Sequence, residues 1–201
     1  MAEPSAKVKE ALKHYPLRVK LEGHAVTLRP MIPEDGPALL EFARKLPQHD
    51  ILFLRRDITK QEGIDKWVKD LGNGIMYSIL AEDEERICGY SIIHLTDLEW
   101  SKHMADLRVS TAERVRGIGL GRLLTREAFN MALALGIEKV MARMTPDQQG
   151  ARALFQELGF QPEALLKDAM KDRAGNYHDL LVMAVNVQTF LAQRSAYGVG
   201  G

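Results

Sequence analysis

The segment Arg114-Val-Arg-Gly-Ile-Gly-Leu-Gly-Arg122 brings three glycines and three arginines into nine residues. Leu123, Leu124, Ala128, Met131, Ala132 and Leu135 follow it at helical spacing. Glycine lets backbone N–H groups approach an anion because no Cβ intervenes. A helix that starts there adds unpaired N–H groups and the positive end of its dipole. The chemistry implied is a cradle for phosphate. A plain strand-to-helix turn needs fewer glycines and no arginines. A dinucleotide fingerprint fails, because Arg122 stands where the third glycine of Gly-x-Gly-x-x-Gly belongs. A P-loop fails because the Gly-Lys-Ser/Thr end is absent.

The rest of the composition narrows the ligand. The chain has 201 residues, 46% hydrophobic, with a formal net charge of zero. Such a balance gives no global attraction to nucleic acid or to an anionic membrane. The basic cluster is local and suits a small anion. The single cysteine, Cys88, excludes an internal disulfide and sits in an apolar run, as a buried small hydrophobe does. No stretch approaches the ~18 apolar residues of a membrane span, and the first ten residues are too polar for a signal-peptide core. A soluble, cytoplasmic protein is expected.

Several elements must position the cradle. Residues 1–20 read as an N-terminal extension, with Ser5 capping a short helix. Residues 21–192 read as one domain and residues 193–201 as a flexible tail. Alternation predicts a strand over 24–29, and Pro33-Glu-Asp-Gly-Pro opens a helix reaching about Leu46. A second helix is predicted over 59–71. Strands follow over 75–81 and 86–95, joined by Glu82-Asp-Glu-Glu as a solvated hairpin tip. Residues 105–111 alternate strictly and form the strand before the cradle. Gly136 ends the cradle helix, residues 137–144 form a strand, a short helix precedes Gly159, and a hairpin over 164–170 and 178–187 closes the domain. Runs of neighbouring strands with few helices imply an α/β (α+β) fold, a mixed, mostly antiparallel central sheet flanked by helices.

Three segments together resemble the GNAT superfamily of acetyl-CoA-dependent N-acyltransferases. Arg116-x-x-Gly119-x-Gly121 resembles its Arg/Gln-x-x-Gly-x-Gly/Ala motif, and Arg114-x-x-Gly117-x-Gly119 satisfies it two residues earlier. The spacing to Gly136 favours the later register. Ala105-Asp-Leu resembles the opening of the family's central strand. Thr145-Pro-Asp-Gln-Gln-Gly-Ala-Arg-Ala-Leu-Phe-Gln-Glu-Leu-Gly-Phe160 resembles its second signature, Pro-x-Asn-x-x-Ala-x-x-Leu-Tyr-x-x-x-Gly-Phe. Val26-Thr-Leu-Arg-Pro with Pro33-Glu-Asp resembles its first strand and helix. Phe42-Ala-Arg-Lys-Leu-Pro and Leu52-Phe-Leu-Arg-Arg resemble bacterial members that acetylate protein lysines.

The resemblance implies acetyl-CoA as cosubstrate, no metal, and direct attack of a primary amine on the thioester. The acceptor would be a protein lysine, a protein N-terminus or a small amine. A homodimer is also in keeping with the family. Arg114, Arg116, Gly117, Ile118, Gly119, Leu120, Gly121 and Arg122 would hold the pyrophosphate. Leu107, Val109 and Thr111 would offer backbone groups to the pantetheine and the thioester carbonyl. Gln148 and Phe155 would complete the cosubstrate site. Asp106 is the first candidate base, because many members have a glutamate there, with Glu99 and His103 as alternatives. Phe155 stands where many members have a tyrosine that protonates the thiolate, and a phenyl ring has no proton to give. Tyr177 is a distant substitute. That departure leaves a second reading open, a sensor that binds acyl-CoA without turning it over. His94, Trp67 and Trp100 read as packing residues.

Overall fold

The computed structural model describes residues 5–51, 56–84, 86–96, 98–172 and 174–189. The stretch 52–55, which carries part of the protein-lysine resemblance, and the expected tail lie outside the described residues. Ser5 accepts a hydrogen bond from the Val8 N–H at 3.3 Å and caps α1 (Ala6–Leu12). Two strands follow, β1 (Leu17–Leu21) and β2 (His24–Pro30). A 3-10 turn leads into α2 (Gly36–Arg44), then α3 (Gln48–Ile51) and α4 (Gln61–Gly72). Next come β3 (Met76–Asp83), β4 (Arg86–Leu95) and β5 (Met104–Thr111). The cradle loop enters α5 (Leu120–Ala134), and β6 (Lys139–Met144), α6 (Gln149–Glu157), β7 (Gln161–Lys171) and β8 (Tyr177–Asn186) complete the order.

The strands form one sheet in the order β1-β2-β3-β4-β5-β6-β8-β7. Every neighbouring pair is antiparallel except β5–β6. The mixed, helix-flanked sheet expected from the sequence is present. Apolar faces of α2 and α4 (Leu39, Phe42, Ile64, Trp67) pack with Leu80, Tyr90 and Ile92 on one side. Ala128, Phe129 and Ala132 of α5 pack with Leu107, Val140 and Met183 on the other. At Gly89 of β4 an added Cβ would lie 3.0 Å from the Leu124 Cδ1 and 3.0 Å from the Ser110 carbonyl oxygen. Glycine there lets α5 sit close on β4 and β5.

Two features differ from expectation. The supposed extension supplies β1, which joins the sheet against β2 through a turn at Glu22 and Gly23, both with positive φ. Leu17, Val19 and Leu21 alternate inward, a strand signal that the short spacing to β2 obscures. Ahead of it, Tyr15 donates to the buried Glu127 carboxylate of α5 at 2.8 Å, and His14 Nε2 lies 3.0 Å from the same oxygen. The acidic run after β3 is also only partly a solvated tip. β3 continues through Asp83, so Glu82 and Asp83 stay in the ladder and meet arginines.

One of those arginines, Arg29, grips Asp35 through two bonds of 2.8 and 2.7 Å and Glu82 through bonds of 3.0 and 2.5 Å. Burial opposes charge on Asp35, but the guanidinium and the Ile32 N–H more than offset it and hold the carboxyl below the ordinary value of 3.8. A carboxyl lowered in the folded state adds stability above the unfolded value. That contribution disappears as pH falls through the folded value. Urea titrations should therefore show unfolding free energy dropping as pH goes below 3.8. Asp35→Asn should be less stable at pH ~7 and should show a shallower acid dependence. An equally steep acid loss in that variant would remove Asp35 from the account.

Candidate active site

Val115, 1% exposed, anchors the loop between β5 and α5 in the core. Gly117 and Gly119 then take φ of 84° and 88°, the left-handed region that side chains disfavour. A Cβ at either would meet nothing within 4 Å. These glycines answer a backbone demand, and the space above them is open. Gly119 is the N-cap of α5, so no side chain caps the helix, and its first turn holds no acidic residue. The first helical bond runs from the Leu123 N–H to the Gly119 carbonyl at 3.1 Å. The N–H groups of Leu120, Gly121 and Arg122 precede it and point out of the helix end. The site fits a pyrophosphate, and the helix start at Leu120 favours the register Arg116-x-x-Gly119-x-Gly121.

The cradle arginines sit in ion pairs. Arg114 binds Asp83 with two bonds, one of 2.7 Å. Arg116 pairs with Asp50 of α3, and Arg122 with Glu157 of α6.

Beside the cradle the sheet divides. β5 and β6 share the pairs Met104–Lys139, Ala105–Val140 and Asp106–Met141. Beyond them β6 is laddered only to β8, and Leu107–Thr111 of β5 only to β4. The parallel strands therefore part at Asp106, leaving a wedge edged by backbone. The model of the acetyltransferase (GNAT) family matches residues 40–160, which span both the cradle and this wedge. The chain belongs to the GNAT family. It is thus an acetyl-CoA-dependent N-acetyltransferase, with acetyl-CoA as cosubstrate. An acetyltransferase of the GNAT family from Streptococcus pneumoniae superposes with a TM-score of 0.70 at 23% identity, over 80% of this chain and 99% of that one. A Salmonella typhimurium chain solved with its cofactor acetyl-CoA gives 0.69 at 18% identity, over 81% and 94%. A ribosomal-protein-alanine N-acetyltransferase from Brucella melitensis gives 0.68 at 23% identity, over 79% and 98%. No curated protein matches the sequence.

Two cavities meet at the wedge of this GNAT domain. A groove of about 810 Å3 runs past Asp70, Leu98, Trp100 and Met141. A smaller, mostly apolar cavity of about 160 Å3 is lined by Ile58, Trp67, Met76, Ile92 and Leu180. Arg56, His94, Asp106 and Arg143 line both. Asp106 thus sits at the dividing point, ion-paired with Arg143 of β6. Glu99 is 84% exposed on a 3-10 turn and pairs with Lys102, and His103 is exposed in the following turn. Neither lines the groove or the smaller cavity described above. Tyr177 is 61% exposed beneath the Lys171 ammonium and lines neither cavity.

The second signature is employed locally. Gln148 accepts from the Thr145 N–H at 3.2 Å and holds the turn before α6. Phe155 is buried edge-on against Phe160, ring centroids 4.9 Å apart. Trp67 is core, as expected, whereas Trp100 is 77% exposed at the rim of the groove. Arg56, Asp70 and Arg143 are not legible as site residues in the sequence, and His94 reads there as a packing residue. Arg143 shares a strand face with Met141, and His94 is the penultimate residue of an apolar strand. A polar residue on the half-buried face of a strand was the signal available. Among the described residues no cluster of metal-binding side chains occurs.

Proposed function

We propose that this GNAT domain moves the acetyl group directly from acetyl-CoA to a primary amine on an extended acceptor. The parting of β5 and β6 beside the uncapped end of α5 carries this reading. The cradle from Arg114 to Arg122 takes the pyrophosphate. Backbone groups of Leu107, Val109 and Thr111 take the pantetheine arm, and an N–H donor at the wedge stabilises the oxyanion of the attacked thioester. The open groove with Trp100 at its rim suits an amine at the end of a chain, such as a peptide N-terminus, a lysine or a polyamine. Direct attack is favoured over an acyl-cysteine route, because burial above all pushes the Cys88 thiol up to about 12.

Thiol release from acetyl-CoA tests the proposal with three acceptors: a peptide with a free α-amine, an N-blocked lysine peptide, and spermidine. Calorimetry with acetyl-CoA runs alongside. Amine-dependent thiol release is the expected result. Tight acetyl-CoA binding without release for any amine would instead support the sensor reading that Phe155 raises. Absence of binding would sink both readings.

A further inference from the structure

His94 is a titratable side chain at the wedge to which the acetyl-transfer reading gives no task. It lies on β4 directly opposite Asp106 of β5, so the two side chains share a sheet face. Its side chain is 14% exposed, and it lines both the groove and the smaller cavity. Behind it, Asp70 of α4 places Oδ2 3.9 Å from Nε2. Arg56 donates to that same oxygen at 2.5 Å and fixes it.

We infer that His94 is the base that removes a proton from the acceptor ammonium, with Asp70 as its positioning residue. The inference rests on the acetyl-transfer reading. Asp106 meets the same space, but Arg143 holds its carboxylate. A base must be unprotonated near neutral pH and still hold a proton well. Imidazole meets both demands where an ordinary carboxylate meets only the first. The separation of 3.9 Å is too long for a hydrogen bond but short for a charge interaction, so Asp70 favours the imidazolium once it forms. The charged groups lining the two cavities around His94 are Asp70 on α4, Arg56 before it, Asp106 and Arg108 on β5, and Arg143 on β6. The carboxylates stabilise the proton and the guanidinium groups oppose it.

The step balances without another acid. Neutral His94 takes one proton from R–NH3+, leaving R–NH2. The nitrogen lone pair forms the N–C bond, and the carbonyl π pair moves to oxygen. That pair returns as the C–S bond breaks, and its electrons leave on sulfur. The second nitrogen proton goes to the thiolate, and His94 releases its own to water in the groove. A proton donor at Phe155 is then unnecessary.

His94→Gln should lower kcat about 100-fold or more, with acetyl-CoA affinity unchanged by calorimetry. It should also abolish the acid limb of kcat/KM measured with the fastest amine of the three. Asp70→Asn should reduce kcat, leave KM near wild type, and move the His94 ring titration, followed by NMR, to lower pH. Retained acetyl-CoA affinity identifies a folded variant, and His94→Asn serves if His94→Gln lacks it. Wild-type turnover with a His94→Gln rate within about threefold and the same acid limb would overturn the base alone. A ring titration indifferent to Asp70→Asn would overturn Asp70 as its positioning residue. No thiol release by the wild type with any amine would overturn the acetyl-transfer reading, and the base with it.

Discussion

Gly119→Asp should weaken acetyl-CoA binding at least 100-fold while the protein stays folded, about 2.8 kcal/mol in binding free energy. Two effects act together. The left-handed φ of 88° strains any side chain, although aspartate tolerates that region better than most. The new carboxylate also stands at the N-cap of α5, among the N–H groups to which the proposed reading gives the pyrophosphate. Aspartate is a favoured cap, worth about 1 kcal/mol to a helix. The capping gain and the backbone strain therefore offset each other in stability. In binding they add, because the cap occupies the anion's donors and repels its charge. Gly119→Ala separates the terms, since it keeps the strain and removes the charge. It should cost about tenfold, and added salt should narrow the gap between the two variants. Calorimetry measures both. Unchanged affinity in Gly119→Asp would take the pyrophosphate away from this loop.

Trp67→Ala should destabilise the fold by about 3–5 kcal/mol, a fall in Tm of about 10 °C for a chain of this size. The indole is 2% exposed between α4 and the sheet, edge-on to Tyr90 with centroids 5.0 Å apart. Its Nε1–H donates to the Ser78 hydroxyl at 2.9 Å, and Ser78 is itself buried. Truncation removes the ring, leaves a void and strips a buried oxygen of its donor. Trp67→Phe keeps most of the volume and loses the bond, so it should cost about 1–2 kcal/mol. Urea denaturation of the two variants distinguishes packing from hydrogen bonding. A loss below about 1 kcal/mol for Trp67→Ala would mean that the site collapses around the gap.

Local signals made much of this domain legible. Glycine spacing marked the turn into α5, because left-handed φ leaves a direct mark on residue type. Period-2 alternation found β5 within a residue, and the apolar run after the acidic turn found β4. Features set by pairing between distant segments were not legible. Nothing local says that β5 leaves β6 at Asp106, since that depends on where Met141 falls in register. Asp83 read as solvated because its partner, Arg114, lies across the fold. His94 is the penultimate residue of an apolar strand, and only the approach of α4 brings Asp70 to it. The glycine loop is local in sequence, whereas the groove at the wedge draws its lining from α4, β4, β5 and β6.

The parting of β5 and β6 also has a mechanical meaning. The two halves of the sheet are sewn together by three residue pairs, and past the last stitch the seam lies open. A molecule lying along that seam closes it as a thread would, tying β5 to the half built on β6, β8 and β7. Its binding free energy then becomes resistance to unfolding, about 2.7 kcal/mol at a hundredfold excess over Kd. Any ligand that lies there is at once a guest of the domain and one of its fastenings.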